Sequence, residues 1–177
     1  NEKGNNKKNI IIPESAHGTN PASVVLGGFT PVKVGTNSEG RVDLEDLKNK
    51  VDSDTAGMML TQPNTLGLFE NDIEEISKII HNVDGLMYMD GANLNALVGL
   101  CKPADMGFDI VHINLHKTFS TPHGGGGPGS GPIAVTQQLQ QYLPFPRLRL
   151  NKTREYYWDN DCPESIGRIH SYYGNFA

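Results

Sequence analysis

Asp109-Ile-Val-His-Ile-Asn-Leu-His-Lys-Thr-Phe-Ser-Thr-Pro-His-Gly-Gly-Gly-Gly-Pro-Gly-Ser-Gly-Pro-Ile-Ala-Val135 decides how this chain is read. The apolar run from Asp109 to Ile113 has the length and β-branched content of a buried strand. A polar patch centred on Lys117 follows, then four consecutive glycines, Gly124 to Gly127, and a second apolar run from Pro132 to Val135. A lysine just past a buried strand, flanked by His112, His116 and His123, is poorly placed to be an ordinary solvated cation. Partial desolvation and cationic neighbours there would favour the free amine that imine formation needs. An exposed lysine beside a flexible glycine loop is the plainer alternative.

Upstream, the same kind of apolar run recurs, separated by helical patterns. Ile10-Ile-Ile12 is a strand stopped by Pro13. The turn Glu14 to Asn20 leads into a helix over Ala22 to Leu26, with Asn20 expected as N-cap, Pro21 at the first helical position and Gly27-Gly28 closing it. Thr30 to Val34 is a second strand, and Asp43 caps a helix reaching about Val51. Ala56 to Leu60 is a third strand, ending in the turn-rich loop Thr61 to Gly67. Ile73, Ile76, Ile79 and Ile80 mark one buried face of a helix over Asn71 to Asn82. Leu86 to Met89 is a strand stopped by Asp90-Gly91. Strands alternating with such helices predict an α/β fold, a mostly parallel sheet sandwiched by helices. After Gln137 the pattern weakens, and Pro144, Pro146 and Pro163 interrupt a tail expected to hold a strand or two.

Composition narrows the function classes. The chain has 177 residues and a net charge of −5, with no basic cluster beyond Lys7-Lys8, which disfavours nucleic acid or an anionic membrane as partner. No apolar run reaches the ~20 residues that span a bilayer, and Asn1 to Asn9 is not a signal peptide. Cys101 and Cys162 lack metal or disulfide spacing, so no metal site is expected. The first residue is not Met, and the chain reads as a segment of something longer.

In parallel sheets ligands collect at the carboxyl ends of the strands. Four candidates sit at such ends: the His17 turn, the Asn64 loop, Asp90 and the Lys117 loop. A carboxylate at one strand end and an amine at the next fit pyridoxal phosphate. That cofactor bonds to a lysine and needs an aspartate to keep its ring nitrogen protonated.

Ser15-Ala-His-Gly-Thr-Asn-Pro-Ala-Ser23, Asp90-Gly-Ala-Asn93, Asn114-Leu-His-Lys-Thr-Phe119 and Pro122-His-Gly-Gly-Gly-Gly-Pro-Gly129 resemble glycine decarboxylase. This is the P-protein of the glycine cleavage system, specifically its C-terminal half or the second subunit of two-subunit forms. Ser165-Ile-Gly-Arg168 and Tyr173-Gly-Asn-Phe176 extend the resemblance over nearly the whole chain.

The resemblance implies an aspartate-aminotransferase-like large domain of fold type I, incomplete here. Residues 1–143 would form part of the cofactor-binding domain, and 144–177 a linker and the start of a small C-terminal domain. Lys117 matches the family's Schiff-base lysine, and Asp90 the partner of the ring nitrogen. His17 would stack on the ring and Ala92 pack its other face. Either Asn64 or Thr61 would meet the 3-hydroxyl, while Asn114 and His116 would approach the phosphate. His17 could instead cap the following helix, and His116 could only orient Lys117. The run Gly124 to Gly127 fits a close-approach loop at the mouth of the site, or one needing small residues for packing. His123 is a candidate proton carrier beside it.

The implied reaction is decarboxylation of glycine with transfer of the aminomethyl group to the lipoamide of H-protein. The implied partners are lipoylated H-protein and the other half or subunit of the P-protein, in an oligomer, in a bacterial cytoplasm or mitochondrial matrix. Alone, the chain is expected to bind the cofactor poorly and to be inactive. Two alternatives stand beside this one: another fold-type-I enzyme such as a cysteine desulfurase or aminotransferase, and a non-catalytic partner domain.

Overall fold

The computed structural model describes residues 6–123 and 131–169. Six apolar runs become strands of one sheet: β1 (Asn9–Pro13), β2 (Thr30–Val34), β3 (Thr55–Thr61), β4 (Leu86–Gly91), β5 (Ile110–Ile113) and β6 (Ile133–Val135). Their order across the sheet is β2-β1-β3-β4-β5-β6. The first five run parallel and β6 returns antiparallel along β5. Met58, Leu60, Met87 and Met89 are buried on the two central strands, as near-continuous apolar runs in a doubly covered sheet must be.

Three helices connect these strands: α1 (Thr19–Leu26), α2 (Leu44–Lys50) and α3 (Ile73–His81). The chain walks outward from β1 to β2 and then back across β1 to β3. Right-handed crossovers therefore set α1 on one face and α2 and α3 on the other. The reversal lies between β1 and β3, and ligands in open α/β sheets gather at such a switch point. Ile73, Ile76 and Ile80 are buried and Ile79 is half-buried, the amphipathic face read from the sequence. Asp43 caps α2 by accepting from the backbone N–H groups of Glu45 and Asp46 at 2.9 and 3.1 Å.

The entry to α1 departs from the sequence expectation. The helix starts at Thr19 with Gly18 as N-cap, so Asn20 is its second residue. The Asn20 side chain is buried and its Nδ2 has no hydrogen-bond partner among the described residues. The role expected of it falls to His17, whose Nδ1 accepts the Thr19 N–H at 3.2 Å. Pro21 is the third helical residue, not the first as expected, and still within the turn where a missing N–H costs nothing. The helix expected over Asn71 to Asn82 is shorter, because Asp72 and Asn82 are its flanking caps.

Beyond β6, a 3₁₀ segment (Gln137–Tyr142) leads to an antiparallel hairpin, β7 (Arg147–Leu150) and β8 (Tyr156–Asp159). These are the strands expected in the tail. Among the described residues no helix is long and apolar enough to cross a membrane. No group of three or more His, Cys, Asp or Glu there is placed to hold a metal ion. The Gly124–Gly127 loop and the Tyr173–Phe176 motif lie outside the described residues.

Candidate active site

β3, β4 and β5 end side by side, so their last residues share one rim. The register pairs Thr61 with Asp90 and Asp90 with His112, and in-register neighbours on parallel strands point to the same face. Close approach of β4 and β5 depends on Gly91, since a Cβ there would lie 2.0 Å from the His112 carbonyl oxygen. The result is a cleft of about 330 Å³ whose lining includes His17, Thr61, Asp90, Ala92, Asn114 and Lys117. That volume lies within the range of small-ligand sites.

Asp90 is the buried charge of this cleft, 7% exposed. Its Oδ1 accepts the Ala92 N–H at 3.0 Å and its Oδ2 accepts the Thr61 hydroxyl at 3.4 Å. The His112 Nδ1 stands 3.6 Å from Oδ1. Burial pushes the His112 imidazole below its ordinary range; the Asp90 charge opposes this, and Lys117 and His116 reinforce it. The phenol of Tyr88 is pushed up to about 12, first by burial and then by Asp90.

Lys117 lines the cleft but does not sit at the strand end itself. A four-residue helix, α4 (Leu115–Thr118), follows β5 and carries it. Its side chain is exposed, so the desolvation expected from the sequence is not present in this chain. Around it, Asn114 Oδ1, His116 Nδ1 and Thr118 Oγ1 are buried without hydrogen-bond partners among the described residues. Orphaned atoms of this kind call for a partner. His116 is not among the residues lining the cleft, and its ring centroid is 4.8 Å from that of His123 at an interplanar angle of 60°. His123 is thus tied to the site through His116.

His17 lines the cleft and also accepts the Thr19 N–H, so its contact at the helix entry leaves it at the cleft. Thr61 and Asn64 separate. Thr61 is in the cleft beside Asp90, whereas Asn64 is not among the residues lining it. The Asn64 Nδ2 donates to Gly40 O at 3.0 Å and to Glu70 Oε1 at 2.9 Å. Its Oδ1 accepts the N–H groups of Leu66 and Leu68, each at 3.0 Å. That amide is fully committed to folding its own loop. Glu70, 2% exposed, also accepts the Val42 N–H at 3.0 Å and donates its own N–H to Gln62. No sequence pattern announced this buried carboxylate.

The cleft holds three further residues that sequence reasoning passed over: Thr19, Thr65 and Asn93. Asn93 is the last residue of the quoted Asp90-Gly-Ala-Asn93 motif, which was the available signal. Its Nδ2 donates to the carbonyls of Pro63 and Asn64 at 3.0 and 3.2 Å, joining the β3 and β4 loops. Another cleft, of about 320 Å³, lies beside β5 and β6 and is lined mainly by apolar groups such as Leu94, Phe108, Val111 and Val135. It lacks the convergent polar groups that orient a reacting molecule.

The family description Glycine cleavage system P-protein matches residues 2–149. The chain belongs to the glycine cleavage system P-protein family. It is 55% identical over 99% of its length to a probable glycine dehydrogenase (decarboxylating) subunit 2 of Pyrococcus abyssi, of which it covers 36%. The likeness to the protein of that name from Caldanaerobacter subterraneus is 56% over 96% of this chain, covering 35% of the relative. The P-protein chain thus spans about a third of the length of these curated relatives. Solved structures share its fold. An aromatic aminotransferase from Pyrococcus horikoshii superposes with a TM-score of 0.60 at 22% identity, covering 74% of this chain and 37% of its own. A sphingosine-1-phosphate lyase from Burkholderia pseudomallei gives 0.58 at 21%, covering 89% and 37%. The expected aminotransferase-like architecture is the one observed.

Proposed function

We propose that this chain is the cofactor-holding part of a P-protein that decarboxylates glycine with pyridoxal phosphate and passes the aminomethyl group to lipoylated H-protein. The observation that carries the proposal is the pairing of a buried carboxylate, Asp90, with an amine, Lys117, across one cleft. The donor set fits the cofactor. Asp90 would face the ring nitrogen, with Thr61 beside it, while Ala92 and His17 would flank the ring. Asn114 and His116, each with a buried unpaired atom, would meet the phosphate. Lys117 would hold the aldehyde carbon covalently. Asn64 is left out of this set.

When bound, pyridoxal phosphate supplies the electron sink into which the pair released with carbon dioxide moves. Asp90 holds a proton at the ring nitrogen; its low exposure strengthens that interaction over its value in water. Thr61 and the Ala92 N–H fix the carboxylate so that little reorganisation accompanies the charge shift. Lys117, exposed at the rim, can accept or return a proton at Nζ as substrate and product exchange. His123, in ring contact with His116, would carry protons to and from the mouth of the site.

The same reading divides the polypeptide near residue 143, with the hairpin opening a C-terminal unit. It assigns the remainder of the P-protein and H-protein as partners in an oligomer, in the bacterial or archaeal cytoplasm. The isolated chain is expected to release no carbon dioxide. The test is release of labelled carbon dioxide from carboxyl-labelled glycine by the complete P-protein with H-protein. Turnover that survives Lys117→Ala would overturn the proposal.

A further inference from the structure

His112 stands at the rim beside Asp90, and its geometry gives it a task of its own. It lies opposite Asp90 in the β4–β5 register and opposite Ile133 in the β5–β6 register. Its Nδ1 is 3.6 Å from Asp90 Oδ1, on the side of the carboxylate already fixed by the Ala92 N–H. Behind the ring stands Gly131; a Cβ there would lie 3.3 Å from His112 Cδ2 and 3.4 Å from Nε2. The imidazole is therefore seated between a carboxylate and a glycine backbone at which any larger side chain would crowd it. Asp90 has one polar neighbour on each side, Thr61 from β3 and His112 from β5.

We infer that His112 is a positioning residue for Asp90, steadying its carboxylate through the Nδ1–H so that it stays aimed into the cleft. The inference rests on the cofactor reading above and adds a residue to it. The charged or titratable groups acting on His112 are Asp90 on β4 and His116 and Lys117 on α4. Burial and the two cationic neighbours favour a neutral ring. A neutral ring can donate to Asp90 without cancelling its charge, which stays available to a protonated ring nitrogen. A charged imidazole would compete for that same carboxylate.

Two readouts test this. Long-range ¹H–¹⁵N NMR of the imidazole, in the chain without cofactor, is expected to show the Nδ1–H tautomer near neutral pH. In Asp90→Asn the His112 titration should move further down, because the opposing negative charge is gone. The Nε2–H tautomer together with a titration unmoved by Asp90→Asn would overturn the inference. Pyridoxal phosphate titrations supply the second readout. His112→Phe is expected to weaken binding about tenfold, through loss of the polar contact that steadies the Asp90 carboxylate. His112→Asn, which retains an N–H near the Nδ1 position, should stay within about threefold of the parent. Circular dichroism confirms that both variants fold. Equal binding by His112→Phe and the parent would refute the positioning role. These titrations use the complete P-protein; if it binds no cofactor, the cofactor reading fails, and the NMR result still decides the His112–Asp90 contact.

Discussion

Asn64 is the residue at which family resemblance and local geometry make opposite predictions. As a cofactor ligand its removal would weaken binding and leave the empty protein intact. As the organiser of the 61–70 loop its removal must destabilise the protein with no cofactor present. Asn64→Ala deletes four hydrogen bonds. Leu66 is exposed and Leu68 half-buried, so their N–H groups regain water and contribute little. The bond to Glu70 is different, because that carboxylate is 2% exposed and keeps only the Val42 N–H as its partner. A buried charged acceptor losing one donor costs about 1–3 kcal/mol. The Gly40 carbonyl and the loosened loop bring the total to about 3 kcal/mol. With a urea m-value of about 2 kcal/mol/M, the midpoint of unfolding should fall by about 1.5 M. Asn64→Asp should cost more, because it sets a second carboxylate against Glu70. Cofactor-free unfolding of Asn64→Ala within about 0.5 kcal/mol of the parent would refute the loop-organising role.

Asp90→Asn should fold, since an amide oxygen can still accept from Ala92, yet bind pyridoxal phosphate about 10- to 100-fold more weakly by equilibrium titration. Asp109→Ala removes a buried acceptor shared by the Met87 N–H at 2.9 Å and His81 Nε2 at 2.8 Å; calorimetry should register a loss of about 3 kcal/mol. A third prediction concerns pH. The folded His112 titrates below its unfolded value of about 6.5, so the unfolded chain binds more protons in that interval. Stability is then constant in this respect above about pH 6.5 and declines as the pH falls through the window below it. Urea midpoints measured across that window should decline less in His112→Asn than in the parent.

Much of the fold was legible because burial on both faces writes each parallel strand as a continuous apolar run. Ile10–Ile12, Ala56–Leu60 and Leu86–Met89 all fell inside observed strands. The α3 face was legible for a similar reason, four isoleucines at helical spacing. Long-range polar partners left no comparable trace. Glu70 and Gln62 look like ordinary loop polar residues, and only the folded chain brings them to Asn64 and Val42. The start of α1 was misjudged by two positions, because an N-cap preference for Asn competes with a histidine side chain that no local pattern reveals. The exposure of Lys117 was equally hidden, since it depends on which segments pack over α4. Asp90 and Lys117 were legible as candidates for one cleft because Asp90 lies at the end of one strand and Lys117 follows the next by four residues.

The most direct test of the account is to incubate the complete P-protein with pyridoxal phosphate, reduce with borohydride and map the modified lysines by peptide mass spectrometry. Lys117 should carry most of the label, and Asp90→Asn should reduce labelling at that position alone. Label spread evenly over exposed lysines such as Lys33, Lys102 and Lys117, and indifferent to Asp90→Asn, would contradict it.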